Sequence, residues 1–200
     1  MYIPDSFKME TEFIYQCIEE NSFSILVSEN NGEMIATHLP LLLSDDKQSL
    51  IGHFAKPNPQ KDSFGKEVLC IFSGPHCYIS PAWYETDRAV PTWNFIAVHA
   101  KGILNIVEDP KKIHTSLVKL VKKFESKDSK YKMDQVDTQY IEGLKKGIVP
   151  FEIKITHLEG KQKLSQNHSE ERRNLVIKEL EILPGENERA IAKLMKDSIN

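Results

Sequence analysis

Apolar and polar residues alternate through most of the first half of the chain, and the period lengthens after residue 109. Phe23, Ile25 and Val27 alternate with smaller or polar neighbours, the pattern of a half-buried strand. Asn30-Asn31-Gly32 follows. Asn and Gly tolerate positive φ, so the spacing predicts a hairpin returning over Glu33–His38. Further strands are expected over Ser49–Ala55, Glu67–Phe72, His76–Ser80 and Asn94–Val107. Turn residues separate them at Ser44-Asp45-Asp46, Pro57-Asn58-Pro59, Ser73-Gly74-Pro75 and Ser80-Pro81. Many short strands with such punctuation predict an antiparallel barrel or sandwich.

Five stretches are expected to be helical. Phe13, Ile14, Cys17 and Ile18 mark a helix over Thr11–Glu20. Asp109 as N-cap and Pro110 at the first helical position open a second, whose stripe is Ile113, Leu117, Leu120, Val121 and Phe124, with lysines opposite. The charged stretch Glu125–Asp137 is expected as loop, and a short helix over Thr138–Lys146 ends at Gly147. Phe151–Leu158 alternates and should return to the sheet. Two tail helices, Glu170–Leu183 and Glu186–Ile199, flank Pro184-Gly185. The fold class is therefore mainly antiparallel β with peripheral helices (α+β). Residues 1–160 form the barrel domain, with helices inserted at about 110–146, and residues 161–200 a connector and helical tail.

Composition narrows the partners. The net charge is −3, from 26 basic and 29 acidic residues. Phosphate neutralisation drives nucleic-acid affinity, so this balance gives no support to direct DNA binding. The tail cations Arg172, Arg173, Lys178, Arg189, Lys193 and Lys196 are matched by acids, as on a solvated face. Cys17, Cys70 and Cys77 have no metal spacing and suit reduced, buried thiols of a cytoplasmic protein. Met1–Asp5 carries neither a basic nor an apolar leader, and Phe95–Val107 is too short and polar to span a bilayer.

The candidate chemistry is that of binding. Lys56, Asn58 and Gln60 sit in a proline-braced turn and offer an ammonium and two amides, which suits a phosphate; the plain alternative is a solvated turn. Thr37 and His38 end an apolar strand and suit a polyol or a ring edge, although a strand His is more often a satisfied core residue. Trp83 and Trp93 border loops and suit a pocket wall or ordinary packing. Glu159–Asn167 is a donor-rich connector, functionally a flap over an anionic or heteroaromatic ligand. His38, His53, His76 and His99 have no ligand spacing, so no metal site is assigned.

Taken together and in order, several blocks resemble the PaiB family. They are Met1-Tyr2-Ile3-Pro4, Ala36–Leu43, Gly52-His53 with Asn58-Pro59, Gly74–Tyr84, Val90–Asn94 with Val98–Ala100, and Lys163–Asn167. The resemblance implies an FMN-binding split β-barrel, pyridoxamine-phosphate-oxidase-like, working as a homodimer. It further implies an FMN-binding negative transcriptional regulator of protease and sporulation genes in bacilli. By that resemblance Lys56, Asn58 and Gln60 meet the phosphate, and Thr37 and His38 line the ribityl chain or ring edge. Trp93, Asn94, Lys163, Ser165 and Gln166 close the site, from the partner subunit in one arrangement. No catalytic acid, base or nucleophile is evident, and a flavin supplies its own redox chemistry. The other readings are a flavin-dependent oxidoreductase on a small molecule and a haem-binding or haem-degrading relative.

Overall fold

A computed structural model describes residues 1–84, 88–126, 128–132 and 135–199. Its strands are β1 (Phe23–Asn30), β2 (Glu33–Pro40), β3 (Leu42–Leu43), β4 (Ser49–Ala55), β5 (Glu67–Ile79), β6 (Thr92–Ile106) and β7 (Ile148–Lys163). The helices are α1 (Thr11–Glu20), α2 (Pro110–Phe124), α3 (Thr138–Lys145), α4 (Glu170–Ile182) and α5 (Glu186–Asp197). The sheet has seven strands in the order β2-β1-β5-β6-β7-β4-β3. Part of the expected loop Glu125–Asp137, at residues 127, 133 and 134, lies outside the described residues.

The chain forms two compact units. One gathers Met1–Asn21, Phe72–His99 and Glu159–Asn200; the other gathers Ser22–Ile71 and Ala100–Leu158. The long strands β5, β6 and β7 contribute residues to both.

In the second unit, β1 and β2 pair antiparallel from Phe23↔Pro40 to Asn30↔Glu33, leaving a two-residue turn. Asn31 and Gly32 hold φ of 53° and 84°, the left-handed pair that matches strand twist in a hairpin. β4 pairs with β7 from Ser49↔Lys154 to Ala55↔Ile148. Leu26, Leu50, Phe54, Phe151 and Ile153 lie inside, with the Phe54 and Phe151 rings 4.4 Å apart. Asp109 caps α2 by accepting from the Lys111 and Lys112 amides, and Pro110 follows it, as the cap signals predict.

In the first unit, α4 and α5 share a core with β5. Cys77, Ile79, Tyr84 and Leu164 pack with Val176, Ile177, Leu180, Ile191, Ala192 and Met195. The expected tail helices are thus part of a closed core in this unit. Arg173 is nearly buried there and donates to the Met195 carbonyl and the Ser198 hydroxyl.

Three sequence expectations change. Ser73-Gly74-Pro75 is not a turn but lies inside the continuous β5. Its buried positions run Val68, Cys70, Phe72, Gly74 and then Cys77, Ile79, so the phase slips by one residue near Pro75, as at a bulge. On β1 the buried face is Ser24, Leu26 and Ser28, not the expected Phe23, Ile25 and Val27, and Phe23 is exposed. Glu159–Lys163, expected as the start of a connector, continues β7.

Candidate functional site

The ten candidate residues fall into two clusters, one in each unit. In the second unit the chain leaves β4 at Ala55 and is pinned at once: the Lys56 amide donates to the Gly147 carbonyl (2.8 Å) and the Asn58 amide to Ala55 (2.9 Å). Asn58 then caps the 3-10 turn Pro59–Ser63, its side-chain oxygen accepting from the Gln60 amide at 2.9 Å. The Asn58 side-chain nitrogen donates to the Thr37 hydroxyl at 3.1 Å, tying the turn to β2.

Gln60 does not face outward. It is fully buried, and its side-chain nitrogen donates to the Leu26 carbonyl (3.1 Å), the Ser28 hydroxyl (3.1 Å) and the Ile35 carbonyl (3.0 Å). An amide nitrogen carries two hydrogens, so its donor capacity is already committed. Its side chain faces inward and ties the turn to β1 and β2. Lys56 is exposed, and its ammonium has no ion-pair partner among the described residues. His38 is not brought to this group. Successive strand residues point to opposite faces, so Thr37 joins Asn58 while His38 stands beside Phe23, ring centroids 6.3 Å apart.

In the first unit, Asn94 and Ser165 are buried partners. Asn94 donates to the Ser165 hydroxyl at 3.0 Å, which also pairs with the Tyr84 hydroxyl at 2.7 Å. Ser165 holds a φ of 62°, fixed by this network. Gln166 folds back on its own loop: its oxygen accepts from the Leu164 amide (2.6 Å) and its nitrogen donates to the Gln162 carbonyl (2.8 Å). Lys163 donates to the Trp93 carbonyl (2.8 Å) and the Thr92 hydroxyl. Burial, then the neighbouring Lys161, pulls the Lys163 ammonium below its ordinary pKa.

The Trp93 ring is 54 % exposed and the Tyr78 ring 45 %, and they meet edge-on at 6.3 Å with His76 6.2 Å from the indole. An exposed aromatic group of this kind suits stacking by a planar ligand. Tyr78 and His76 were missed as site candidates, because a strand aromatic reads as core until the face it occupies is known. Tyr84 was missed for the same reason; its hydroxyl lies inside, and burial raises its pKa. Burial pushes the Cys70 and Cys77 thiols up to about 12 and Cys17 to about 11, so all three free thiols are held protonated. The described residues hold no cluster of three His, Cys, Asp or Glu that would bind a metal. Among them no helix is long and apolar enough to cross a membrane.

An antiparallel seven-stranded sheet with peripheral helices defines a protein of the split-barrel class. Solved structures share this fold. The flavocytochrome Anf3 from Azotobacter vinelandii superposes with a TM-score of 0.62 at 13 % identity, over 82 % of this chain and 73 % of that one. The FAD and heme binding protein from Mycobacterium smegmatis gives 0.61 at 9 %, over 82 % and 77 %. In sequence, the protease synthase and sporulation protein PAI 2 of Bacillus subtilis is 38 % identical over 204 residues, covering 100 % of this chain and 98 % of that protein. An uncharacterized protein of Emericella nidulans is 28 % identical, over 94 % of this chain and 93 % of that one. The FMN_bind_2 family model, described as “Putative FMN-binding domain”, matches residues 1–157. The chain belongs to this family, the PaiB family that its residue blocks resemble.

Proposed function

We propose that this chain is an FMN-binding homodimer that acts in negative regulation of protease and sporulation genes, in the manner described for its family. The observation that carries the flavin reading is the Lys56–Gln60 turn. Gln60 anchors it from inside, Asn58 braces it against Thr37, and Lys56 offers an unpaired ammonium among the described residues, while Lys61 donates to the Lys56 carbonyl. A turn ordered before the ligand arrives loses less entropy on binding, and an ammonium beside an amide suits a phosphate monoester. The residues therefore fit FMN at its phosphate end through Lys56, Asn58 and Thr37. Trp93 and Lys163 are the proposed contacts to the ring, given by the partner subunit, with Asn94, Ser165 and Gln166 holding the backbone that presents them. His38 is left beside Phe23, and Gln60 is assigned to positioning.

Regulation is proposed to run through a partner or through the flavin state and not through tight DNA contact, because the charge balance offers no phosphate-neutralising excess. The protein is expected in the cytoplasm, its thiols reduced.

The test is a titration of purified protein with FMN and with riboflavin, followed by flavin fluorescence. FMN is expected to bind at least about tenfold tighter, and Lys56→Ala to remove most of that advantage, one charge-assisted contact being worth roughly 1.5–3 kcal/mol. Equal affinity for the two flavins, or haem as the group released from fresh protein, overturns the reading. Light scattering tests the dimer, and a salt-sensitive, sequence-specific gel shift by the protein alone would overturn indirect regulation.

A further inference from the structure

The second unit holds a cavity that shares no residue with the proposed flavin contacts. It has a volume of about 360 Å³ and lies between α2 and the β4–β7 part of the sheet. Its sheet side sets the apolar Ile51, Val107 and Pro150 beside Ser49 and Glu152. Its roof is polar: Lys112, Thr115, Ser116 and Lys119, at i, i+3, i+4 and i+7 on α2. This inverts the usual arrangement. A helix laid on a sheet for packing turns its apolar stripe down, yet α2 has no buried residue, and its stripe of Ile113, Leu117 and Leu120 lies about a third of a turn away from the roof. The gap is within the size range of small-ligand sites.

The charges at this cavity are specific. Lys111, Lys112 and Lys119 line it with Asp46 and Glu152. Lys119 is held by Asp45 at 2.7 Å. Asp46 accepts from the Ser44 hydroxyl and the Gln48 amide, and Glu152 accepts from the Ser49 hydroxyl, so both carboxylates are satisfied by neutral donors. The Lys111 and Lys112 ammoniums have no ion-pair partner among the described residues. We propose that this cavity binds a small amphipathic organic acid. Its apolar body lies on Ile51, Val107 and Pro150, and its carboxylate meets Lys111, Lys112 and the Thr115 hydroxyl. The two unpaired ammoniums attract an anion, and the nearby Asp46 and Glu152 carboxylates favour a monoanion over a dianion such as phosphate. The ligand would fill the space between α2 and the sheet, fastening a helix that otherwise buries none of its residues.

Methyl-resolved NMR of the full chain tests this, with benzoate and hexanoate as probes and benzyl alcohol and inorganic phosphate as comparators. Benzoate or hexanoate is expected to shift the Ile51 and Val107 methyls in a saturable way. Benzyl alcohol should bind roughly tenfold more weakly, the double variant Lys111→Ala/Lys112→Ala should weaken the acids by a similar factor, and Ser116→Trp should abolish the shifts by filling the space. Flavin titration of the same variants should be unchanged, so failure here and failure of the flavin reading are distinguishable. The proposal is overturned if neither acid moves these methyls, if the acid and alcohol bind alike, if the double variant binds the acids as tightly as the parent, or if phosphate competes as well as benzoate. The double variant changes only exposed side chains and keeps the test decisive if Ser116→Trp does not fold.

Discussion

Replacing Gln60 by Glu changes one nitrogen to oxygen at a site with no exposure. The nitrogen lies 3.0–3.1 Å from three oxygens, on Leu26, Ser28 and Ile35. Two of these are carbonyls and accept only; the Ser28 hydroxyl alone can turn to donate. A carboxylate there is desolvated and faces two acceptors, both of which favour the protonated form. Taking a rise of roughly 3 pH units above the unfolded Glu value of about 4.3, the buried charge costs about 4 kcal/mol at high pH. The protonated acid keeps one donor where the amide has two, a further loss of about 1 kcal/mol at any pH.

The folded pKa lies above the unfolded one, so the unfolded state releases its proton first as pH rises. Gln60→Glu is therefore expected to lie about 1 kcal/mol below the parent at pH 4 and to fall further between roughly pH 4 and 7, reaching about 5 kcal/mol above that window. Gln60→Met is the control. It loses both amide donors but also removes the Gln60 side-chain oxygen, which is buried without a hydrogen-bond partner. Its cost is expected to be about 1–2 kcal/mol and flat with pH. The assay is urea unfolding by far-UV circular dichroism from pH 4 to 8, each variant measured against the parent at the same pH. A flat Gln60→Glu difference, or equality with Gln60→Met at pH 8, would refute the inward placement and return Gln60 to the ligand-facing set.

Other perturbations test the two units separately. A Cβ on Gly102 would stand 2.4 Å from the Lys154 carbonyl oxygen and 2.7 Å from the Ile153 side chain, so Gly102→Ala should cost about 3 kcal/mol and lower Tm by roughly 6–12 °C, read by thermal unfolding. Burial lowers the His53 pKa below its ordinary 6.5. The unfolded state then takes the proton first as pH falls, so stability is full above 6.5 and lost below it; His53→Gln should flatten that acid loss in a pH series of denaturation midpoints. Tyr84→Phe removes a buried hydroxyl paired to Ser165 and should cost about 1–2 kcal/mol at pH 7. Burial raises the Tyr84 pKa above 10, so the parent loses stability as the unfolded phenol ionises, and the gap to Tyr84→Phe should narrow above pH 10.

The parts of the fold that were legible in the sequence are those fixed by neighbouring residues. Asn31-Gly32 needs only its own φ values to close the hairpin, and Asp109-Pro110 caps α2 with donors two and three residues on. The pattern itself reached no further than an antiparallel barrel or sandwich. The split barrel came from the ordered blocks that resemble the family. Ser73-Gly74-Pro75 has the composition of a turn, but its place inside β5 is set by strand partners distant in sequence, and the conflict is absorbed as a one-residue slip in the buried face.

The candidate site divides along the same line. Residue type identified groups with hydrogen-bonding capacity, and it could not say which way they face. Gln60 is buried because β1 and β2 present acceptors to it from residues 34 and 25 positions away, and Asn94 because Ser165 lies 71 positions on. Alternation on β2 already separates Thr37 from His38, and that part was available from the sequence. Under the proposed flavin reading, the buried Gln60 amide explains how an exposed turn would serve as a binding site. Lys56 and Asn58 are ligand-ready only while the backbone between them is fixed, and that backbone is fixed from below by Gln60 and from the side by Thr37. If this is right, Gln60→Met should weaken FMN more than riboflavin while leaving every proposed ligand contact in place. Equal weakening of both flavins would place the effect on the fold as a whole and not on the phosphate turn.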